Sequence, residues 1–195
     1  YSDYKDLQTQ NFINGRQFFD NAGKASIKGF EVEADVIPVR GLVLSGNVGY
    51  ADLNYKTFIL NGIDVANVAR TTYNSKWTAR VAAQYDAPEF ANGSNVYGRV
   101  DARYKGRAPL VSAPIVDLTG AVSPLENYAF TKAYWLLDGR LGLANFAIGG
   151  AKTSLSVFGQ NLLNTHYNPF GAPVLQLTSS YERGRTYGVE LGFAF

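Results

Sequence analysis

Residues 181–195 read YERGRTYGVELGFAF, and from Thr186 onward apolar and polar residues alternate without a break. Tyr187, Val189, Leu191, Phe193 and Phe195 fall on one parity, while Thr186, Gly188, Glu190, Gly192 and Ala194 fall on the other. Successive side chains of a strand point to opposite faces, so this spacing predicts a strand with one apolar face and one polar or small face. The same alternation recurs upstream. In 42–50, Leu42, Leu44, Gly46, Val48 and Tyr50 stand against Ser45, Asn47 and Gly49. In 76–85, Trp77, Ala79, Val81, Ala83 and Tyr85 stand against Lys76, Thr78, Arg80 and Gln84. In 96–104, Val96, Gly98, Val100, Ala102 and Tyr104 stand against Tyr97, Arg99, Asp101 and Arg103. Further strands are predicted at about 25–37, 133–144 and 152–163, and residues 1–10 read as part of another, giving eight.

The connections carry a second pattern. Short links are predicted at Ile37–Gly41, Ala87–Ser94 and Asn145–Lys152, and long ones at about 11–24, 57–75, 106–132 and 164–183. Short and long therefore alternate. A meander of this kind has two unlike ends, as expected of a membrane barrel with tight turns on one side and long loops on the other.

Composition narrows the choices. The 195 residues carry 18 Lys+Arg against 16 Asp+Glu, a net +2, without the concentrated basic face that a nucleic-acid binder needs. The absence of Cys excludes a disulfide scaffold, a thiolate metal site and a cysteine nucleophile, and a single histidine, His166, excludes an imidazole cluster. No resident metal and no cofactor are expected. A long uncharged stretch, Ser154–Tyr181, contains Gln160, Asn161, Asn164, Asn168, Pro169 and Pro173, so it is not a transmembrane helix. Tyr1 is not an initiator Met and no basic-then-apolar leader opens the chain, so further residues are expected upstream.

The apolar faces have two possible destinations. They could line the core of a small soluble barrel, leaving the charged faces in solvent. They could instead meet lipid, with the charged faces in a water-filled lumen. Aromatic residues near the ends of these faces (Tyr50, Trp77, Tyr85, Tyr104, Trp135, Tyr187, Phe193 and Phe195) favour lipid, because amphipathic rings gather at membrane interfaces. The repeated glycines and small residues between them would fill an ordinary core thinly. The expected fold is thus an all-β, antiparallel, up-and-down transmembrane barrel with about eight strands present.

Several strings resemble one family, the TonB-dependent receptors of the Gram-negative outer membrane. KASIKGFEVEADV (24–36) followed by GLVLSGNVGYADLNY (41–55) is similar to a recurrent strand, tight turn, strand unit of those barrels. SVFGQNLLNTHY (156–167) resembles their penultimate strand, with Asn161, Leu162, Asn164 and Tyr167 forming its ending, and YERGRTYGVELGFAF resembles the terminal one. The resemblance implies that residues 1–195 are the C-terminal portion of a barrel of about twenty-two strands, with the plug and earlier strands lying outside this stretch. It implies uptake of a scarce nutrient, a ferric siderophore first, with energy from the TonB complex contacting the missing plug. It also implies an assembly signal in the last strand, carried by Thr186, Gly188, Leu191, Phe193 and Phe195, which the barrel-assembly machinery would read by strand pairing. Outer-membrane lipid and a small ligand such as a metal chelate complete the expected partners. The alternative is an autonomous eight-stranded outer-membrane barrel with a structural or adhesion role.

Candidate chemistry lies on the charged faces and in the loops. Glu31, Glu33 and Asp35 share one face of a strand, and Lys76, Arg80, Arg99, Asp101, Arg103, Asp138, Arg140 and Glu190 are expected on the same side of others. Such a mixed wall could seat a plug through ion pairs, line a path for an anionic chelate, or be a solvated lumen. The candidate ligand-binding residues are Arg80, Arg99, Arg103 and Arg140 on the wall, and Tyr167, Phe170 and Tyr181 in loop 164–183. His166, beside Asn161, Asn164 and Ser179 or Ser180, has the makings of a rim catalytic site, but a lone histidine there reads first as a loop residue. No Gly-x-Ser-x-Gly elbow, P-loop or dinucleotide fingerprint occurs, and no enzyme activity is expected.

Overall fold

The computed structural model describes every residue except 14–15, 61, 117–118, 175 and 195; for 9–13, 16–22, 60, 170–174 and 176–179 it describes the backbone alone. Eight long strands follow one another: β1 (Ser2–Ile13), β2 (Arg16–Val39), β3 (Leu42–Leu60), β4 (Trp77–Asp86), β5 (Asn95–Lys105), β6 (Tyr134–Ile148), β7 (Ala151–Gln160) and β8 (Thr186–Ala194). Each pairs antiparallel with the next, in chain order, within one sheet. The sheet is open, a partial barrel with β1 and β8 at its edges, and so does not form the closed eight-stranded barrel of the alternative expectation. Among the described residues no helix is long and apolar enough to cross a membrane, and only a short 3₁₀ turn, Pro124–Tyr128, is present.

Register converts the alternation of single strands into two continuous walls. On one side Val32, Val48, Ala79, Tyr104 and Trp135 stand opposite one another across five strands. Farther along, Val81 pairs with Ala102 and Ala102 with Leu137, while Leu141, Val157 and Val189 continue the same wall to β8. Among the described residues nothing covers this side. Val81, Val100, Leu141, Val157 and Val189 are all at least half exposed, up to 69 % at Val189. A soluble protein rarely leaves so continuous an apolar surface uncovered, and the soluble-core reading fails on this observation. The largest fully buried apolar side chains, Leu110 and Val111, lie in a loop and not under the sheet.

The aromatic residues mark the limits of the apolar wall. Phe30, Tyr50 and Trp77 touch in a row, with ring centroids 4.7–5.9 Å apart, and Tyr104 meets Trp135 at 5.1 Å. All five belong to the end of the sheet that carries the long loops. Tyr85 and Phe193 stand at the other end. From Trp77 to Tyr85 the strand runs about 27 Å, close to the height of a lipid-facing band. Phe195 lies outside the described residues.

Turn chemistry sets the short-turn end. Gly149 and Gly150 form the two-residue link from β6 to β7, with φ of 58° and 87°, the positive values that a hairpin turn of matching twist demands. The turn is thus tighter than the predicted Asn145–Lys152, because β6 continues to Ile148. A second difference concerns 11–24, expected as a loop. There the backbones of β1 and β2 stay paired as far as Ile13 opposite Arg16. Residues 16–24 contain no proline to interrupt the ladder, and polar residues suit strands that have left the membrane and face water on both sides. In 164–183, likewise, the backbone of Phe170–Val174 pairs with Gln176–Ser180 as a small hairpin.

The two walls should respond differently to charge. In the intact protein, Val189→Arg or Leu191→Arg is expected to cost ~2–4 kcal/mol near mid-membrane, and Arg at Glu190 or Gly192 distinctly less. Denaturant unfolding in phospholipid vesicles reads both, and equal penalties on the two parities would contradict the lipid-facing assignment.

Candidate ligand-facing wall

The opposite side of the sheet carries the charges. Glu33, Asn47, Arg80 and Arg103 lie in one cross-strand row, and Asp35, Ser45, Ala82, Asp101 and Asp138 in the next. Gln84, Arg99, Arg140, Phe158 and Gly188 form a third. Glu31, Glu33 and Asp35 therefore share the wall as expected, but β3 separates them from the arginines with Gly49, Asn47 and Ser45. The wall has an acidic stripe on β2 and an arginine-rich field on β4–β6, with a small-residue strip between.

Within that field one carboxylate gathers three cations. The Arg80 Nε donates to Asp101 Oδ2 at 2.8 Å, its Nη2 meets the same oxygen, and Arg99 Nη2 approaches it at 3.4 Å. Arg103 Nε lies 3.7 Å from the other Asp101 oxygen, and its Nη2 donates to Asp138. The Asp101 side chain is only 12 % exposed, whereas the arginines around it are 40–50 % exposed. Charge-assisted bonds of this kind hold guanidinium groups at fixed height above the sheet while their outer faces stay wet. Arg140 is held separately. Its two Nη atoms donate to the two carboxylate oxygens of Glu190 at 3.1 and 3.2 Å, Nη1 also reaches Ser156 Oγ, and the group lies 5.2 Å from the centroid of Phe158.

The result is a hollow of about 560 Å³ lined by Arg80, Arg99, Arg103, Arg140, Asp101 and Asp138. Four arginines face three carboxylates, counting Glu190, which leaves an excess positive charge. All four wall arginines singled out in the sequence come together here. Tyr167 lies beside Arg103 and Asp138 in a smaller adjoining hollow, its ring stacked 4.1 Å from that of Tyr134. Tyr181 is 69 % exposed and takes no part. The side chains of Phe170 and Ser179 lie outside the described residues. Lys76 leaves the wall as well: it precedes β4, and its long side chain reaches Asp52 at 2.6 Å. His166 is exposed, and the described residues hold no group of three ligating side chains.

The string NLLNTHY has a mechanical role that spacing alone does not show. Asn161 and Asn164 both adopt positive φ, 49° and 52°, a region that asparagine tolerates better than most residues. Asn161 Oδ1 accepts from the Thr165 amide at 2.9 Å and its Nδ2 donates to the Thr165 carbonyl at 2.9 Å. Asn164 Oδ1 accepts the Arg185 amide at 3.1 Å, tying the end of β7 to the start of β8. The Asn161 amide donates to Asp138 at 2.8 Å. Asp138 thereby joins this turn to the arginine field.

Gly188 is also more specific than the sequence suggests. A Cβ there would collide with the ring of Phe158 from β7, so the missing side chain is what lets that ring lie across β8. Beneath Arg140 the aromatic ring and glycine form a packed base for the guanidinium. Thr186, Leu191 and Phe193 lie in β8 as expected, the last two pointing outward.

Beyond the rim the two long loops are folded together. Arg70 from the β3–β4 loop meets Glu126 from the β5–β6 loop at 2.6 Å, and the Ile115 amide donates to the same carboxylate at 2.9 Å. Burial would raise the Glu126 pKa, but the Arg70 and Ile115 bonds with the charges of Arg70 and Arg107 outweigh it and hold the carboxyl below its ordinary value. Leu110, Val111 and Ala129 of the β5–β6 loop are buried, and the Leu110 amide donates to the Ala129 carbonyl at 2.8 Å. Nothing in the spacing of either loop announces the other as its partner.

An antiparallel sheet with a lipid-type wall outside and a charged wall inside defines the class as a membrane β-barrel. A family model described as "TonB dependent receptor-like, beta-barrel" matches residues 1–162, and the chain belongs to this family of outer-membrane receptors. Among solved structures it is similar to FyuA, the ferric yersiniabactin uptake receptor of Yersinia pestis, at 19 % identity and TM-score 0.69 over 97 % of this chain and 25 % of that one. It is similar to BauA, the ferric preacinetobactin receptor of Acinetobacter baumannii, at 17 % identity and TM-score 0.62 over 98 % and 25 %. A third is Fiu, the ferric-catecholate import receptor of E. coli, at 20 % identity and TM-score 0.63 over 97 % and 23 %. The chain spans about a quarter of the length of these receptors.

The hierarchy of the ion pairs is testable. Asp101→Asn takes the carboxylate from Arg80, while Arg99 keeps Gln84 and Arg103 keeps Asp138, and is expected to lower stability by about 1.5–3 kcal/mol. Glu190→Gln, at a pair whose carboxylate is 60 % exposed, should change it by no more than about 1 kcal/mol. Paired denaturant melts of the intact protein check the order, and a larger loss at Glu190 would contradict it.

Proposed function

We propose that this chain forms the C-terminal part of the barrel of a receptor in the outer membrane of a Gram-negative bacterium. It takes part in TonB-dependent uptake of a scarce nutrient, a ferric siderophore first among the candidates. The observation that carries this reading is the arginine-rich hollow on β4–β6 of the inward wall, set apart from the acidic stripe on β2. Ferric chelates with deprotonated carboxylate, phenolate or catecholate arms are anionic, and a field of fixed, wet guanidinium groups attracts such ligands along a lumen without trapping them. The family supports the class of activity, and the ferric ligands for which the three similar receptors are named support iron chelates as the cargo.

In this reading the chain performs no covalent chemistry. Energy enters through the TonB complex acting on a plug that fills the barrel, and the inward wall with its acidic stripe is the surface that the plug slides against. The alternating pattern of the last strand, β8, suits recognition by the assembly machinery through strand addition, with Thr186, Gly188, Leu191 and Phe193 as the signal and Phe195 completing it.

Cells producing the intact protein under iron limitation should accumulate labelled ferric chelate only when TonB is present, while surface binding persists without it. Accumulation that is indifferent to TonB would overturn the proposal.

A further inference from the structure

Beyond the aromatic row, one edge of β3 is paired at both ends of its length but not in the middle. At the lower end Tyr50 faces Trp77, and the Ala51 amide donates to the Lys76 carbonyl at 2.9 Å. At the upper end Ile59 and Leu60 pair with Asp64 and Ile63, and the Val65 amide donates to the Phe58 carbonyl at 2.9 Å. Between these points no described strand pairs with this side of β3. The β2–β3 register runs unbroken from Ala51 to Tyr55, and backbone direction alternates along a strand. Leu53 and Tyr55 therefore present their N–H and C=O groups to the same side as the Ala51 amide.

A cavity of about 540 Å³ follows this edge, lined by Leu53, Asn54 and Tyr55 in succession, with Trp77, Tyr104 and Phe130 also among its walls. Consecutive residues point to opposite faces of a sheet, so a cavity that touches all three meets the strand edge-on. It takes the place of a continued β4. That strand lies between β3 and β5 as far as Trp77, whose carbonyl accepts from the Gly106 amide at 2.9 Å. Chains on either side of an absent strand stand about 9–10 Å apart, the width that one added strand fills. The segment leading into β4 is fastened elsewhere: the Arg70 amide donates to the Ser112 carbonyl at 2.8 Å and the Tyr73 amide to the Pro109 carbonyl at 2.7 Å, both in the β5–β6 loop. The Arg70 side chain is committed to Glu126 of the same loop. Folding the two loops onto each other thus holds the slot open.

An unpaired edge is a template for another strand. We propose that this slot takes up an extended segment of a second polypeptide, which joins the sheet beside Leu53 and Tyr55 through backbone hydrogen bonds. Main-chain bonds supply the affinity, and the aromatic lining favours apolar side chains in the segment. The interaction goes beyond nutrient uptake and requires nothing of the cargo, since it uses none of the wall arginines.

Panning a phage-displayed library of random dodecapeptides on the intact protein in lipid nanodiscs supplies the probes. Each retained peptide is synthesised with and without N-methyl groups at alternate residues, its binding is measured by fluorescence polarisation, and amide deuterium exchange is followed in the protein. Bound peptide should slow exchange at the Leu53 and Tyr55 amides about tenfold, and N-methylation of one parity should weaken binding about tenfold, because it removes the donors that face β3. Tyr55→Pro deletes a donor on the open side and leaves the ladder to β2 intact, a change that an edge position tolerates, and it should weaken binding by a similar factor. Heat-modifiable gel migration establishes that the variant is folded, and the exchange measurement on the wild-type protein stands without it. Three results would overturn the proposal: exchange at Leu53 and Tyr55 that is already slow in the free protein, retained peptides that leave it unchanged, or binding indifferent to both N-methylation and Tyr55→Pro.

Discussion

The antiparallel hydrogen-bond ladder is the constraint on which everything else depends. In lipid, each backbone N–H and C=O must find its partner within the sheet, so strands cannot shift to suit their side chains. Once Phe30 faces Tyr50 and Tyr50 faces Trp77, the side on which every later residue emerges is fixed. A slip of one residue would carry Arg80, Arg99 and Arg103 into hydrocarbon and Val81 and Val100 into water. The cost of such a slip on several strands at once is what makes the register unique.

Given that ladder, the inward wall can be rich in arginine without a conventional core. Asp101 holds Arg80, Arg99 and Arg103, Asp138 links Arg103 to the Asn161 turn, and Glu190 holds Arg140. The Arg80–Asp101 and Arg103–Asp138 bonds join neighbouring strands and Arg140–Glu190 reaches across β7, so they fasten the sheet in the same sense as the ladder, while Arg99 and Arg103 meet Asp101 along a single strand. The same anchors leave the outer faces of the guanidinium groups free, and the wall's stability and its attraction for anions come from the same residues. Gly188 and Phe158 add a packed element, placing an aromatic ring where a side chain on β8 would have interfered.

Legibility in the sequence followed the range of the interactions. Period-two alternation depends only on neighbours in the chain, and it revealed all eight strands, the two faces and the four wall arginines before any coordinates. What needed a partner distant in sequence was hidden. The paired ends of β1 and β2 read as a loop because residues 11–24 show no sustained alternation, although their backbones are paired. Lys76 was placed on the wall by parity, yet four methylenes let its ammonium group reach Asp52 instead. The Arg70–Glu126 junction and the Asp138–Asn161 bond join residues whose spacing encodes no relation, and only the fold brings them together.

The central claim is that one parity of these strands meets lipid and the other meets water. The chain contains no cysteine, so single cysteines can be placed along β4 from Ala79 to Tyr85 and labelled with a nitroxide in the intact, membrane-inserted protein. Collision rates with oxygen, which concentrates in lipid, and with a water-soluble nickel chelate then report each position's surroundings. The account predicts strict alternation, with oxygen dominant at Ala79, Val81 and Ala83 and the chelate dominant at Arg80, Ala82 and Gln84. Collision profiles that do not alternate, or that alternate with the opposite parity, would contradict it.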